Sequence, residues 1–169
     1  MLPRLEHPMM MTDRPARYVK PDVFTRRVFN PLVAGLTKLG LSVKGSRVLQ
    51  VRGRTTGETR STVVNLLTLD GVDYLVAPRG ATQWVRNLRA AGTGTLRVGR
   101  KSEPISAVEL PDGAKIDVIR AYLQAWAWEV GKFFDGLTAE SPDADNLAAA
   151  SGFPVFRVDP SPFAMSDER

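Results

Sequence analysis

The sequence contains no cysteine and a single histidine, His7. The first absence rules out disulfides, thiolate metal sites and cysteine nucleophiles. The second leaves the body of the chain without an imidazole, so neither a Ser–His–Asp triad nor a histidine-based metal site has a candidate, and no metal is expected. No apolar run approaches the ~20 residues of a membrane span. The opening stretch, "MLPRLEHPMMMTDRPARYVK", lacks the continuous apolar segment of a signal peptide, which points to a cytoplasmic protein. Internal repeats and low-complexity tracts are missing as well. The expected organisation is a mobile leader over residues 1–20 and a single domain over 21–169.

What is present is an ordinary globular composition with an unusual charge distribution. Apolar residues make up 43% and charged residues 24% of 169, enough for a sizeable core. The formal net charge of +5 conceals a split. Residues 1–101 carry 18 basic and 6 acidic side chains, whereas residues 102–169 carry 5 basic and 12 acidic. Such a split suggests a face that meets an anionic partner: nucleic acid, an anionic membrane surface or a multiply charged cofactor. A merely solvated basic surface would give the same count.

The patterning predicts one or two short helices over 22–40, with Phe24, Val28, Leu32, Leu36 and Leu39 at helical spacing and Asn30–Pro31 as a start signal. A strand over 46–53, a turn at "RTTGE" and a return strand over 59–69 form a hairpin. Asp70–Gly71 is a tight-turn signal leading into a strand over 72–78. A helix over 82–91 follows, then strands over 94–100 and 103–110. A helix begins at Pro111–Asp112 with Ile116, Ile119, Leu123, Trp126 and Val130 on one face. A polar loop over 135–146 precedes a last short strand over 153–160. Antiparallel hairpin order with interposed helices, and no alternating βαβ rhythm, argues for a small barrel with helices at its edges.

Two stretches carry candidate chemistry. In "PRGATQWVRNLRAAG" (78–92), Thr82 is the expected N-cap, and the amides of the first helical turn face outward beside Arg79 and Gly80. That end suits a phosphate or carboxylate. Trp84, Leu88 and Ala91 share a face expected to pack into the core. Asn87 sits at the border of that face and must be hydrogen-bonded, to a neighbouring turn or to a ligand. In "VRGRTTGETRST" (51–62), Arg52, Arg54 and Arg60 crowd with Thr55, Thr56 and Gly57 around one turn that can form an anion nest. Each stretch alone also fits a solvated helix face or a polar hairpin tip. Two basic, glycine-containing turns beside strands of one sheet fit an anion-bearing ring ligand better.

"GRTTGETR" (53–60), "APRGATQWVRNL" (77–88) and "FPVFRVDP" (153–160) follow one another in the order and relative spacing of a known pattern. Over residues 46–160 the chain resembles the deazaflavin-dependent nitroreductase family, actinobacterial split β-barrel oxidoreductases that use coenzyme F-420, an 8-hydroxy-5-deazaflavin. Two departures stand out: Thr55 and Arg79 replace the family's lysines, and the segment between Gly80 and Trp84 is shorter than in many relatives. The resemblance implies a split β-barrel, often a homodimer, with peripheral helices. It implies a cofactor site built from Arg54, Thr55, Thr56, Gly57, Arg60, Thr62, Val63, Val64, Ala77, Pro78, Arg79, Gly80, Ala81, Trp84 and Asn87. The phosphate and carboxylate-rich tail would meet the two turns, and the ring would lie along Thr62–Asn65 near Trp84 and Asn87.

By the same resemblance the reaction is hydride transfer from the reduced cofactor to an electron-poor small molecule: a quinone, an enone or a nitro compound. No catalytic acid or base is assigned. Tyr122, Trp126 and Trp128 are candidates for a substrate pocket, although aromatic residues at helical spacing serve a core equally well. Three alternatives stay open: a flavin mononucleotide enzyme on the same fold, a non-catalytic carrier of cofactor or lipid, and a nucleic-acid-binding domain. The last is disfavoured because Trp84 falls on an apolar helix face and does not interleave with exposed arginines. The apolar stripe over 22–40 leaves open a peripheral membrane contact.

Overall fold

The computed structural model describes residues 45–161; the leader and the expected helices over 22–40 lie outside the described residues. Among the described residues, six strands close into one antiparallel barrel in the order β1-β2-β3-β6-β5-β4. They are β1 (Ser46–Arg52), β2 (Thr59–Leu69), β3 (Val72–Val76), β4 (Thr93–Val98), β5 (Lys101–Glu109) and β6 (Val155–Pro160). Pairing of β1 with β4, with Leu49 opposite Leu96, shuts the ring and removes the sheet edges.

Alternation with a period of two gives the strands two apolar faces. Leu49, Val51, Val64, Leu75, Leu96, Ile105, Phe156 and Val158 point into the barrel. Their neighbours Leu67, Val76 and Val155 point outward into a second core. Asp70 (φ 51°) and Gly71 (φ 76°) both take left-handed backbone, as the tight turn between β2 and β3 demands. At Gly94 an added Cβ would stand 2.8 Å from the Gln50 carbonyl, so glycine is what lets β4 approach β1.

Helix α1 (Gln83–Ala91) crosses from β3 to β4 and packs Val85 and Leu88, both fully buried, against the barrel core. Each such side chain contributes about 1.5–3 kcal/mol. Ala91, expected on that face, is exposed, because the helix ends there at Gly92 (φ 68°), whose N–H donates to the Leu88 carbonyl. The two helical elements on the outer core lie between β5 and β6: α2 (Ile116–Val130) and α3 (Asp143–Ala149). Arg120 donates to the Ala139 and Ser141 carbonyls and pairs with Asp143, holding the loop before α3 onto α2. Buried Lys115 donates to Asp112 and to the Ala150 carbonyl.

Helix α3 is a correction to the expected polar loop over 135–146. It has seven residues and one large apolar side chain, the half-exposed Leu147, so no periodicity announces it. Its acidic residues Asp143 and Asp145 occupy the first turn, where the helix dipole favours them. No helix of the described residues is long and apolar enough to cross a membrane.

Candidate functional site

The β1–β2 turn is shaped by its own backbone. Gly53 N–H donates to the Glu58 carbonyl at 2.7 Å, and Gly57 N–H donates to the Gly53 carbonyl at 2.9 Å. Gly57 has φ 74°, and the Arg52 guanidinium lies against it, 3.5 Å from where a Cβ would be. Arg54, Thr55, Thr56 and Arg60 are all exposed around this turn, and Arg60 pairs loosely with Glu58 at 3.3 Å.

The turn does not stand alone. Arg54 backbone N–H donates to Asn87 Oδ1 at 3.2 Å, and Arg54 Nη1 donates to the same oxygen at 2.8 Å. Nη1 also donates to Gln83 Oε1 at 3.0 Å, on the first residue of α1. The two stretches singled out in the sequence are therefore one surface. Asn87, which needed a partner, finds it in the neighbouring turn.

The chain enters α1 through the buried residues Gly80, Ala81 and Thr82. Gly80 (φ 81°) folds the chain back, with Thr82 N–H donating to the Gly80 carbonyl at 2.8 Å. Thr82 is the N-cap residue in extended backbone, yet its side chain makes no capping bond, and its buried Oγ1 has no partner among the described residues. The first turn carries no acidic residue. The amides at its N-terminus thus meet no carboxylate of their own helix.

The remaining candidates divide. Thr62 and Val63 are half-buried on β2, and Pro78 and Arg79 half-buried before the helix. Val64 and Ala77 point into the barrel and Ala81 is buried, so the side chains of Val64 and Ala77 belong to the core. Trp84 is half-buried against that core, its ring 6.0 Å from Phe156. Asn65, at the end of the expected ring platform, accepts from Ser46 Oγ and bonds the Tyr122 phenol on the outer face of the barrel.

The three aromatic candidates for a substrate pocket are divided between core and surface. Tyr122 and Trp126 are 2% and 5% exposed in the outer core, with their rings 5.0 Å apart. Trp128 is 64% exposed. Non-helical backbone at Trp126 (φ −132°, ψ 17°) kinks α2 between them. Burial pushes the Tyr122 phenol well above its ordinary value, and the bond to Asn65 offsets only part of that. Gln83 joins the site without having been among the candidates, while Arg52, singled out at the hairpin turn, lies against Gly57 there. The signal for Gln83 was available: it lies four residues before Asn87, on the same helix face. Among the described residues, no cluster of three metal-ligating side chains exists.

Comparison with known proteins matches this architecture. A domain-swapped dimer of known structure superposes with a TM-score of 0.50 at 20% identity, covering 76% of this chain and 91% of its own. A structure described as an F420-H2 dependent reductase gives 0.47 at 20% identity, covering 69% and 95%. General Stress Protein 26 from Bacillus anthracis gives 0.46 at 13%, covering 76% and 85%. No curated protein matches the chain. The family described as F420H(2)-dependent quinone reductase matches residues 29–130. The chain belongs to that family: it is a reductase, and its coenzyme is the deazaflavin F-420.

Proposed function

We propose that this reductase passes hydride from reduced coenzyme F-420 to a quinone, or to a comparably electron-poor enone or nitro compound, with the coenzyme's anionic side seated where the β1–β2 turn meets the start of α1. The observation that carries the reading is the joining of those two turns through Arg54, Gln83 and Asn87.

The residues present fit such a group. Arg52, Arg54 and Arg60 surround one turn, Arg79 lies beside Gly80, and the buried Thr82 Oγ1 lacks a partner among the described residues. That donor set suits several phosphate and carboxylate charges, since guanidinium forks grip such anions bidentately. A flavin mononucleotide, with one phosphate, would leave much of it unused. Bound there, the reduced coenzyme supplies the hydride. The chain holds the tail with Arg52, Arg54, Arg60 and Arg79 and fixes the ring edge near Trp84, which the core behind it immobilises. Of the expected ring platform this reading keeps Val63, since Thr62 and Val64 share the strand face that Leu49 opposes in the barrel interior. Two copies pairing as a homodimer accords with the domain-swapped dimer among the similar structures.

The test is anaerobic mixing of reduced coenzyme with a soluble naphthoquinone, an enone and a nitroaromatic, each with and without protein. Reoxidation of the coenzyme should be fastest with the quinone and depend on the protein. Rates equal to the protein-free controls for all three acceptors would contradict the reading.

A further inference from the structure

Arg54 is exposed, yet it is tied down at three points, and all three bonds leave one edge of its guanidinium unused. Two of its donors converge on one Asn87 atom, at 3.2 and 2.8 Å. Convergence of two N–H groups identifies that atom as the carbonyl oxygen and occupies both of its lone pairs. Asn87 is itself 5% exposed, so its oxygen has no approach left for a ligand. The side-chain bonds of Arg54, to Asn87 and to Gln83, are made by Nη1 alone. Its Nε–Nη2 edge makes no hydrogen bond among the described residues. Arg89 shows what that edge does when an anion is present: its Nε and Nη2 grip the two Glu109 oxygens at 2.6 Å each.

We infer that Asn87 is a positioning residue for the coenzyme: its side-chain oxygen acts through Arg54, clamping Nη1 so that the Nε–Nη2 edge is presented to the anionic tail. The inference rests on the proposed site. Of the two partners the sequence leaves open for Asn87, a neighbouring turn or a ligand, its oxygen takes the turn. The physical gain is pre-organisation, because a long exposed arginine otherwise loses side-chain freedom on gripping an anion.

The test is a fluorescence titration of coenzyme F-420 into the wild type, Arg54→Ala, Asn87→Leu and the double variant, with melting temperatures recorded alongside. Each single change should weaken binding roughly tenfold or more. The double variant should bind no more weakly than the worse single one, because both changes remove the same grip. Turnover at saturating coenzyme should hold while the coenzyme KM rises. Multiplying losses in the double variant would overturn the inference, and so would wild-type affinity in Asn87→Leu. Wild-type protein that binds no coenzyme would overturn the proposed site itself, a result distinct from those two. Should Asn87→Leu fail to fold, hydrogen exchange on the wild type decides: the Arg54 amide should exchange more slowly than those of Thr55 and Thr56 in the same turn. Equal rates would contradict the clamp.

Discussion

Tyr122 is the residue at which burial leaves a solution signature. The phenol is held neutral in the outer core, its ionisation pushed up by desolvation. In the unfolded chain it ionises near its ordinary value, about 10. Above that pH the unfolded state releases a proton that the folded state keeps, so stability falls as pH rises. The folded protein should therefore show a stability flat with respect to Tyr122 below about pH 10 and declining above it. Tyr122→Phe should blunt that decline, as read by urea denaturation at a series of pH values. An unchanged slope in the variant would show the phenol to be accessible after all. At this scale the sequence was informative where a residue's chemistry forced a question. Asn87 at the border of a buried face needed a bond, and the structure supplies it from Arg54. Sequence could not say which partner, because Arg54 and Asn87 lie 33 positions apart and meet only when the hairpin folds onto α1.

Strands and turns were legible because glycine-containing turns bracket the apolar runs and Asp70–Gly71 can adopt paired left-handed backbone cheaply. Helix α3 was not, since seven residues with one large apolar side chain carry no period. Trp128 parts from the buried pair because residues two apart on a helix lie on different faces, and non-helical backbone at Trp126 adds a kink there. Packing between elements yields its own prediction. Gly94→Ala places a Cβ 2.8 Å from a backbone carbonyl of β1, which cannot yield without parting the strands that close the barrel. It should cost about 1–3 kcal/mol, the range of overpacked sites. Gly113→Ala, with open space around its Cβ, should be near neutral. Chemical denaturation of both variants checks the pair, and equal stabilities would mean that β1 and β4 pack less closely than described.

At the scale of the whole molecule, the basic turn and the acidic helices fall on different elements among the described residues. Arg52, Arg54 and Arg60 gather at the β1–β2 turn beside α1, while Asp112, Asp117, Asp143 and Asp145 sit on the helical excursion between β5 and β6. Coenzyme affinity should accordingly fall with added salt, because exposed charges are screened within about 8–10 Å at moderate ionic strength. A salt-independent constant would mean that the basic cluster is surface only. Deazaflavin should also bind more tightly than flavin mononucleotide, whose single phosphate engages fewer of the arginines. The central claim is that the two joined turns, and not a diffuse basic field, hold the coenzyme. The most direct measurement is a coenzyme F-420 titration of Arg60→Ala and Arg79→Ala against Arg100→Ala, an exposed arginine in the β4–β5 turn. The first two should each weaken binding roughly 10–150-fold, the worth of a charged hydrogen bond, while Arg100→Ala stays near the wild type. Equal weakening in all three variants, or none in any, would contradict it.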